Sequence, residues 1–239
     1  MQAHLPAYDR SKLTPGIVHI GLGNFHRAHM AVYLDDLFAK GLSQDWAILG
    51  AGVREGDARM RDALKGQDCL STVIELDPKG KSARRIGAMI DFLPVEADNA
   101  ALIAAMARPE IRIVSLTVTE GGYFINPATG EFDPSHPEIM GDAVDPHKTA
   151  FGAIIAAIKA RKAAGVKPFT VMSCDNLPGN GHVTKAAVMG LAGIEDPDLA
   201  TWIGDNVAFP NGMVDRITPA TGPRERAMAA AFGLGDDPV

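Results

Sequence analysis

The chain has 239 residues, of which 46% are hydrophobic and 22% are charged, the composition of an ordinary globular protein. A formal net charge of −6 disfavours a general nucleic-acid-binding protein, because such proteins carry a basic surplus or stripe. The sequence has no apolar run of about 18 residues, and its start lacks a secretory layout, so we expect no membrane contact and a cytoplasmic location.

The first predicted elements surround a glycine turn. A short apolar run, Ile17–Ile20, predicts a strand, and Gly21-Leu22-Gly23 then leads into a helical pattern over Arg27–Lys40. This order suits a dinucleotide phosphate, since glycines allow a sharp turn and the N–H groups of the new helix bind the charge. His26 replaces the usual third glycine, so an ordinary tight turn between strand and helix is the alternative for this stretch alone.

A second apolar run, Trp46–Ala51, predicts the next strand and completes a βαβ unit. Just beyond it, Asp57 and Glu55 are candidates for the carboxylate that accepts the adenosine ribose hydroxyls, which favours NAD. Arg54 is the competing candidate, because arginine at this place can bind the 2′-phosphate of NADP. Asp57 also suits the N-terminal cap of a helix predicted over Ala58–Leu64.

The middle of the chain predicts an interruption and then a return to parallel strands. The turn signal at residues 77–80 lies between Ser71–Leu76 and Ala83–Leu93, which predicts a hairpin inserted into the sheet. A helix over Asp98–Ala107 and a buried strand over Ile111–Val118 follow. Glu120 comes directly after that strand, and we expect it at the site because ligands bind beyond the carboxyl ends of parallel strands.

The last part of the chain combines regular elements with polar stretches. Residues 125–146 contain four prolines and no periodicity, which predicts a long surface loop or lid. A helix over Lys148–Ala164, a strand over Phe169–Ser173 and a helix over Pro197–Asn206 complete the predicted elements. Residues 173–181 and 209–219 are rich in Asn, Asp, Gly and Pro, a composition that turns alone also explain.

Four segments together resemble the polyol-specific long-chain dehydrogenases, a family that also includes fructuronate and tagaturonate reductases. They are IVHIGLGNFHRAH, PEIRIVSLTVTEGGY, FTVMSCDNLPGNG and FPNGMVDRITP, in family order from residue 17 to about residue 221. The resemblance implies a doubly wound, mostly parallel Rossmann-type α/β sheet, with residues 1–239 forming an NAD-binding domain. It also implies hydride transfer between nicotinamide and a polyol/ketose pair, or alternatively a hexuronate.

The resemblance assigns roles to individual residues. Asp57 matches the acidic ligand of the adenosine ribose, and Asp215 matches an aspartate near nicotinamide and substrate. Asn176 matches an asparagine that stabilises the alkoxide, a reasonable role for an amide donor aimed at developing negative charge. The cofactor pyrophosphate is assigned to residues 21–27, and within them to Gly21, Gly23, Asn24, Phe25 and Arg27.

One family motif does not occur in these residues. The general acid/base of the family is a lysine in the pattern K-x-x-x-x-N-x-x-H, within a downstream helical domain, and no such spacing occurs here. We therefore expect the cofactor-binding part of such an enzyme, inactive alone, with the lysine supplied by a second domain or chain. A non-catalytic dinucleotide-binding module is the alternative from another class. Lys185 is expected to be solvated surface.

Other patterns give weaker signals. Tyr8-x-x-x-Lys12 has the spacing of short-chain dehydrogenases, but it precedes the first strand, so chance explains it better. His26 and His29 share a helix face without a companion Cys/His cluster, so no metal is expected. His26 is interpreted instead as a polar neighbour of the cofactor or a residue that opens the helix. Cys69 and Cys174 have no CxxC spacing and are expected to be buried thiols.

Overall fold

The computed structural model describes residues 4–126, 128–144, 147–214 and 218–234, with the side chains of residues 120, 143 and 144 outside the description. Short 3-10 turns occur at Arg10–Lys12 and Glu120–Tyr123. The strands and helices follow in the order β1 (Pro15–Ile20), α1 (Asn24–Ala28), α2 (Met30–Ala39), β2 (Ala47–Ala51), α3 (Asp57–Gly66), β3 (Ser71–Asp77), β4 (Gly80–Ile86), β5 (Met89–Phe92), α4 (Ala100–Ala107), β6 (Ile113–Leu116), α5 (Pro137–Val144), α6 (Ala150–Ala163), β7 (Thr170–Ser173), α7 (Asn180–Glu195), α8 (Pro197–Asn206) and α9 (Pro223–Ala231).

Five strands form a parallel sheet in the order β5-β2-β1-β6-β7. Every residue of β1 and β2 is buried, as expected for apolar strands that are covered on both faces. The chain winds outward from β1 in one direction through β2 and β5, and then in the other through β6 and β7. The carboxyl ends of β1 and β6 therefore form the topological switch point, where ligands bind in such folds. The predicted doubly wound sheet is confirmed.

Helices cover both faces of this sheet. Alternate residues of β1 point to opposite sides, so Val18 and Ile20 belong to one apolar cluster and Ile17 to the other. The first cluster includes residues of α4, α6 and α7, and the second includes Phe38 of α2 and Leu64 of α3. No helix among the described residues is long and apolar enough to cross a bilayer.

The predicted hairpin is present as a separate two-stranded sheet of β3 and β4. The apolar run predicted as one strand over Ala83–Leu93 divides at Gly87, and its second half becomes β5, the edge strand beside β2. Two side chains fix the backbone at Gly87. The carboxylate of Asp35 accepts from the Gly87 N–H at 2.8 Å, and Arg10 Nε donates to the Gly87 carbonyl at 3.1 Å.

Two other predictions about elements were wrong in part. The helix predicted over Arg27–Lys40 begins earlier and is divided into α1 and α2 at His29, whose φ and ψ are −124° and −83°. Residues 125–146 were predicted to be a loop, yet they include an isolated bridge between Ile125 and Phe132 and the helix α5. This helix forms because Ile139 is completely buried in the core, which outweighs the proline-rich composition around it.

The first and last described segments both contact β4. The His4 N–H donates to the Ala83 carbonyl at 3.1 Å, and the Arg85 N–H donates to the His4 carbonyl at 2.8 Å. At the other end of the chain, Phe232 and Leu234, just after α9, pack against Ala83 in a small apolar cluster of their own. The hairpin is thus held by both the first and the last described segments.

Candidate functional site

The glycine turn lies at the switch point of the sheet. Gly21 has φ +94°, and a Cβ added to it would lie 2.1 Å from the Thr117 carbonyl oxygen. Only glycine fits there, because both the backbone conformation and the approach of Thr117 exclude a side chain. Gly23 is the N-cap residue of α1, and a Cβ added there meets no atom of the described residues within 4 Å. As far as the described residues extend, the space in front of Gly23 and the first N–H groups of α1 is therefore open.

Two stacked histidines, His19 and His26, pack against the glycine turn. His19, on β1, contacts Ser115 Oγ at 2.7 Å through Nδ1, and its Nε2 contacts the Gly21 carbonyl oxygen and Thr117 Oγ1, each at 3.0 Å. The ring of His26 stacks on it, with centroids 3.5 Å apart and an interplanar angle of 15°. Burial lowers the pKa of His19 to about 3 and the pKa of His26 well below its usual value, so both rings are neutral at pH 7.

The position of His26 agrees with its predicted role as a residue that opens the helix, but its burial does not suit a polar neighbour of the cofactor. It opens α1 as its third residue, but its exposed fraction is only 1%, so protein rather than open space surrounds the ring. Neither ring nitrogen has a hydrogen-bond partner within the described parts of the chain. His26 thus fills the place of the third glycine as a packing residue beneath the turn.

The side chains predicted around the pyrophosphate mostly stabilise the turn itself. Arg27 donates to the Leu22 carbonyl and to Asn24 Oδ1, each at 2.5 Å, and burial lowers its pKa to about 10, so it stays charged. The Asn24 amide also donates to the Pro219 carbonyl at 3.1 Å. Phe25 packs on the ring of His29, with centroids 4.7 Å apart. These contacts leave the backbone of the turn as the surface available to an anion.

Asp57 lies beside the turn at the end of β2. Its Oδ2 accepts from the backbone N–H groups of Val53 and Arg54, both at 3.0 Å. Helix α3 begins at Asp57 itself and is capped by Gly56, so the carboxylate stabilises the preceding loop rather than the helix end that the sequence suggested. Within the described ranges, no hydrogen bond involves its Oδ1. Glu55 is exposed and lines neither of the cavities described next.

Two cavities flank the glycine turn, with volumes of about 200 Å³ and about 350 Å³. Gly21, Asp57 and Thr117 line both, so these residues mark the boundary between them. The smaller cavity, which we call the α5 cavity, lies between the loop after β2 and the start of α6 and is also lined by Arg54, Val118 and Glu138. The larger cavity extends over Gly23 towards Met60 and Phe92.

The loop after β6 is fixed by a residue that the sequence analysis missed, Asp175. Its carboxylate accepts from the backbone N–H groups of Val118 at 2.9 Å and Thr119 at 3.2 Å, and from the Tyr123 hydroxyl at 2.6 Å. Thr119 has φ +66° and ψ 163°, a conformation that favours glycine. Burial and the neighbouring Asp175 raise the pKa of Tyr123, so the phenol stays protonated and donates to the carboxylate.

The two polar stretches of the sequence meet at the start of α7. The Asn180 amide donates to the carbonyls of Asp175 and Gly212, and its Oδ1 accepts from the Gly212 N–H at 2.8 Å. In return, Asn211 Oδ1 accepts from the N–H groups of Gly181 at 2.9 Å and His182 at 3.2 Å. The two polar stretches therefore bind each other through specific hydrogen bonds. The Asn-Gly pair in each stretch was the sequence signal that could have indicated this contact.

Several predicted residues lie near this edge of the sheet. Asn176 is exposed in the loop after β7, next to Asp175. Glu120 opens the 3-10 turn after β6, although its side chain is outside the description, and Asp215 lies outside the described residues. Lys185 is not solvated surface: it is partly buried and donates to the Gly204 carbonyl at 2.8 Å.

The remaining candidates lie elsewhere or form no site. The Tyr8 hydroxyl donates to the buried Asp35 on α2 and not to any residue of the turn. No cluster of three or more metal-ligating side chains occurs in the part of the chain that the structure describes. Cys69 and Cys174 are free thiols, the first buried and the second partly buried, and burial raises the pKa of Cys174 to about 11.

A sheet wound in both directions from β1, with a glycine turn and an acidic residue at its switch point, defines a dinucleotide-binding domain of Rossmann type. The family model described as "Mannitol dehydrogenase Rossmann domain" matches residues 15–234. The chain belongs to the mannitol dehydrogenase family.

Similar proteins extend this finding. The chain is 71% identical to a mannitol 2-dehydrogenase of Cereibacter sphaeroides over 97% of its own length and 49% of that protein. It is 47% identical to a polyol:NADP oxidoreductase of Gluconobacter oxydans, again over 97% of its own length and 49% of that protein.

Among solved structures, the ternary complex of Pseudomonas fluorescens mannitol 2-dehydrogenase with NAD and D-mannitol matches 99% of this chain and 49% of that chain, with a TM-score of 0.93 and 48% identity. A substrate-free D-sorbitol dehydrogenase matches 100% of this chain and 50% of that chain, with a TM-score of 0.92 and 43% identity. The chain spans about half the length of the curated relatives it matches.

Proposed function

We propose that residues 1–239 form the NAD(H)-binding domain of a polyol dehydrogenase. The observation that carries the proposal is the open space over Gly23 at the switch point, beside the available Oδ1 of Asp57. A pyrophosphate over Gly23 would accept from the N–H groups at the start of α1, where no side chain of the described residues caps the helix. Asp57 Oδ1 would accept from a ribose hydroxyl while its Oδ2 keeps the loop in place.

The adenosine and nicotinamide halves are assigned by the direction of the sheet. The loop after β2 and the α5 cavity suit the adenosine half, because the acidic ribose ligand follows the second strand in these folds. The loops after β6 and β7 suit the nicotinamide half. Hydride chemistry belongs to the cofactor, and this chain's residues supply position and charge.

Two residues near the nicotinamide half are assigned roles in the reaction. The exposed Asn176 amide would donate to the alkoxide oxygen of the substrate, an interaction of the kind that is worth a few kcal/mol in the transition state. Asp215 is assigned a place near nicotinamide and substrate by family resemblance alone. Relatives that are named for mannitol, a polyol and sorbitol favour a polyol/ketose pair over a hexuronate. The family's acid/base motif is not present in these residues, so the hydroxyl proton is assigned to a group beyond them.

Titration with NADH, followed by nicotinamide fluorescence, tests the proposal. We expect saturable binding by the unmodified chain and none by Gly23→Val, because the new side chain fills the open space in front of the turn. Gly80→Val is the matched control: a Cβ at Gly80, in the hairpin, also meets no described atom within 4 Å, but Gly80 lines neither cavity. Equal NADH binding by the unmodified chain and Gly23→Val would reduce the stretch to an ordinary turn.

A further inference from the structure

Arg54 and Glu138 approach each other at the α5 cavity. Arg54 belongs to the loop after β2, and Glu138 lies in the first turn of α5. Both line the cavity, and Arg54 Nη2 lies 4.0 Å from Glu138 Oε1. The side chains are 69% and 55% exposed, so the pair is solvated and loosely held. Arg54 can therefore leave Glu138 for a stronger anion at little cost.

The pair of Arg54 and Glu138 lies close to Asp57, the residue that is assigned to the adenosine ribose. The Arg54 N–H donates to Asp57 Oδ2, so Arg54 is tied to the carboxylate that is assigned to the adenosine ribose. A phosphate on the ribose 2′-oxygen would lie beside these two residues. Arginine binds such a phosphate through paired N–H donors, whereas Glu138 competes for the same donors and repels the phosphate charge.

We propose that Glu138 is a cofactor-specificity residue, which disfavours the 2′-phosphate of NADP(H) by engaging Arg54 across the α5 cavity and by placing a carboxylate there. The inference rests on the proposed NAD(H) site and adds a determinant outside the loop after β2, where sequence analysis placed the choice. NAD(H) has no 2′-phosphate, so its affinity depends little on Glu138.

The charges around the α5 cavity set the size of the effect. Asp57 and Glu138 contribute negative charge, while Arg54 and Lys148 also line the cavity. Neutralising Glu138 removes one repulsive charge and one competitor for Arg54. Because the pair is exposed and screened by salt, we expect a change of about three- to tenfold in the dissociation constant of NADPH.

The test compares NADPH and NADH titrations of four proteins by nicotinamide fluorescence. These are the unmodified chain, Glu138→Gln, the double variant Glu138→Gln with Arg54→Gln, and Glu131→Gln. The last is the matched control, since Glu131 is an exposed glutamate of the same segment that does not line the cavity. Glu138→Gln should tighten NADPH about three- to tenfold and change NADH by less than about twofold.

The remaining outcomes separate the two proposals. The double variant should lose the gain in NADPH affinity, because the guanidinium that binds the phosphate is gone, and Glu131→Gln should match the unmodified chain. An unchanged NADPH/NADH ratio in Glu138→Gln, with NADH still bound, overturns the role of Glu138 and leaves the NAD(H) site intact. A gain that survives the loss of Arg54 also overturns it. Failure of the unmodified chain to bind NADH overturns both proposals.

Discussion

Asp175 connects the ends of β6 and β7 through three accepted hydrogen bonds, from Val118, Thr119 and Tyr123. Two of the donors are backbone N–H groups at the edge of the α5 cavity, and one belongs to the residue with φ +66°. A residue in that conformation stays there only when its surroundings hold it. Asp175 thus maintains the shape of the loop on which the neighbouring Asn176 and the cavity wall depend.

Asp175→Ala should lower the free energy of unfolding by about 2–4 kcal/mol, because two backbone N–H groups lose their acceptor and the buried Tyr123 hydroxyl keeps only Ser173 Oγ, at 2.6 Å, as a partner. Urea unfolding provides the measurement, and hydrogen exchange at Val118 and Thr119 should become faster. Asp133→Ala is the control, since Asp133 is partly exposed and its carboxylate accepts from the N–H and the hydroxyl of its near neighbour Ser135. Equal losses in the two variants would contradict the role given to Asp175.

The sequence predicted the residues around the turn but not those that hold the outer loops. Gly21, Gly23 and Asp57 follow the ends of β1 and β2, and adjacent parallel strands bring such positions together at one edge. The contacts of Asp175 and Asn180 join segments far apart in the chain. The composition of these segments is that of any turn, so the local sequence does not show that Asp175 and Asn180 bind distant segments.

Helices and strands show the same difference: those fixed by neighbouring residues were predicted, and those fixed by distant residues were not. Helix α8 was predicted to the residue, because Asp196 caps it through the Leu199 N–H and Pro197 begins it. The division between β4 and β5 was not predicted, since it depends on Asp35 of α2 and Arg10 reaching Gly87. Helix α5 was missed for a similar reason, because the burial of Ile139 depends on helices that follow it.

The stacked histidines make β1 and α1 sensitive to acid. In the folded protein His19 has a pKa of about 3, and the pKa of His26 is also lowered, whereas an unfolded histidine titrates near about 6.5. Below that pH the unfolded chain binds protons that the folded chain does not. Stability is therefore fully present above about pH 6.5 and is lost as the pH falls towards 3, by up to about 1.4 kcal/mol per pH unit for each histidine.

His26→Phe keeps an aromatic ring on His19 and removes one of these titrations. We expect its free energy of unfolding to fall less steeply between pH 7 and pH 5 than that of the unmodified chain, by about 1 kcal/mol per pH unit over the lower part of the range. Urea unfolding at a series of pH values gives the slopes. His182→Gln, which removes an exposed histidine, should leave the slope unchanged. Identical slopes for all three proteins would show that the buried pair does not govern acid sensitivity.

At the scale of the whole molecule, the proposed function assigns cofactor binding to this chain and proton transfer to a group outside it. The glycine turn and Asp57, which are proposed to bind NAD(H), lie within the described residues, and the chain spans about half the length of its curated relatives. In the proposed function, the hydroxyl proton of the substrate is assigned to a group beyond these residues. Acid/base assistance alone is worth roughly 10²–10⁴ in rate, and orientation of the substrate can supply about 7–11 kcal/mol of the barrier.

The purified 239-residue chain should therefore bind NADH and yet show no turnover of mannitol, fructose, arabinitol or fructuronate. NADH absorbance measures turnover, and a fluorescence titration of the same sample with NADH is the positive control for binding. Measurable turnover would assign the proton to a residue of this chain. Lys185 would be the first candidate to test, by Lys185→Met.

The contacts of both terminal segments with β4 have a mechanical consequence. His4 is bonded to one edge of this strand, and Phe232 and Leu234 pack on Ala83 within it. A pulling force applied between His4 and Leu234 would therefore load these two attachments before it reaches the parallel sheet. In a single-molecule stretching experiment, the terminal segments should peel away first at low force, and the sheet with its glycine turn should yield later as a separate, stronger event.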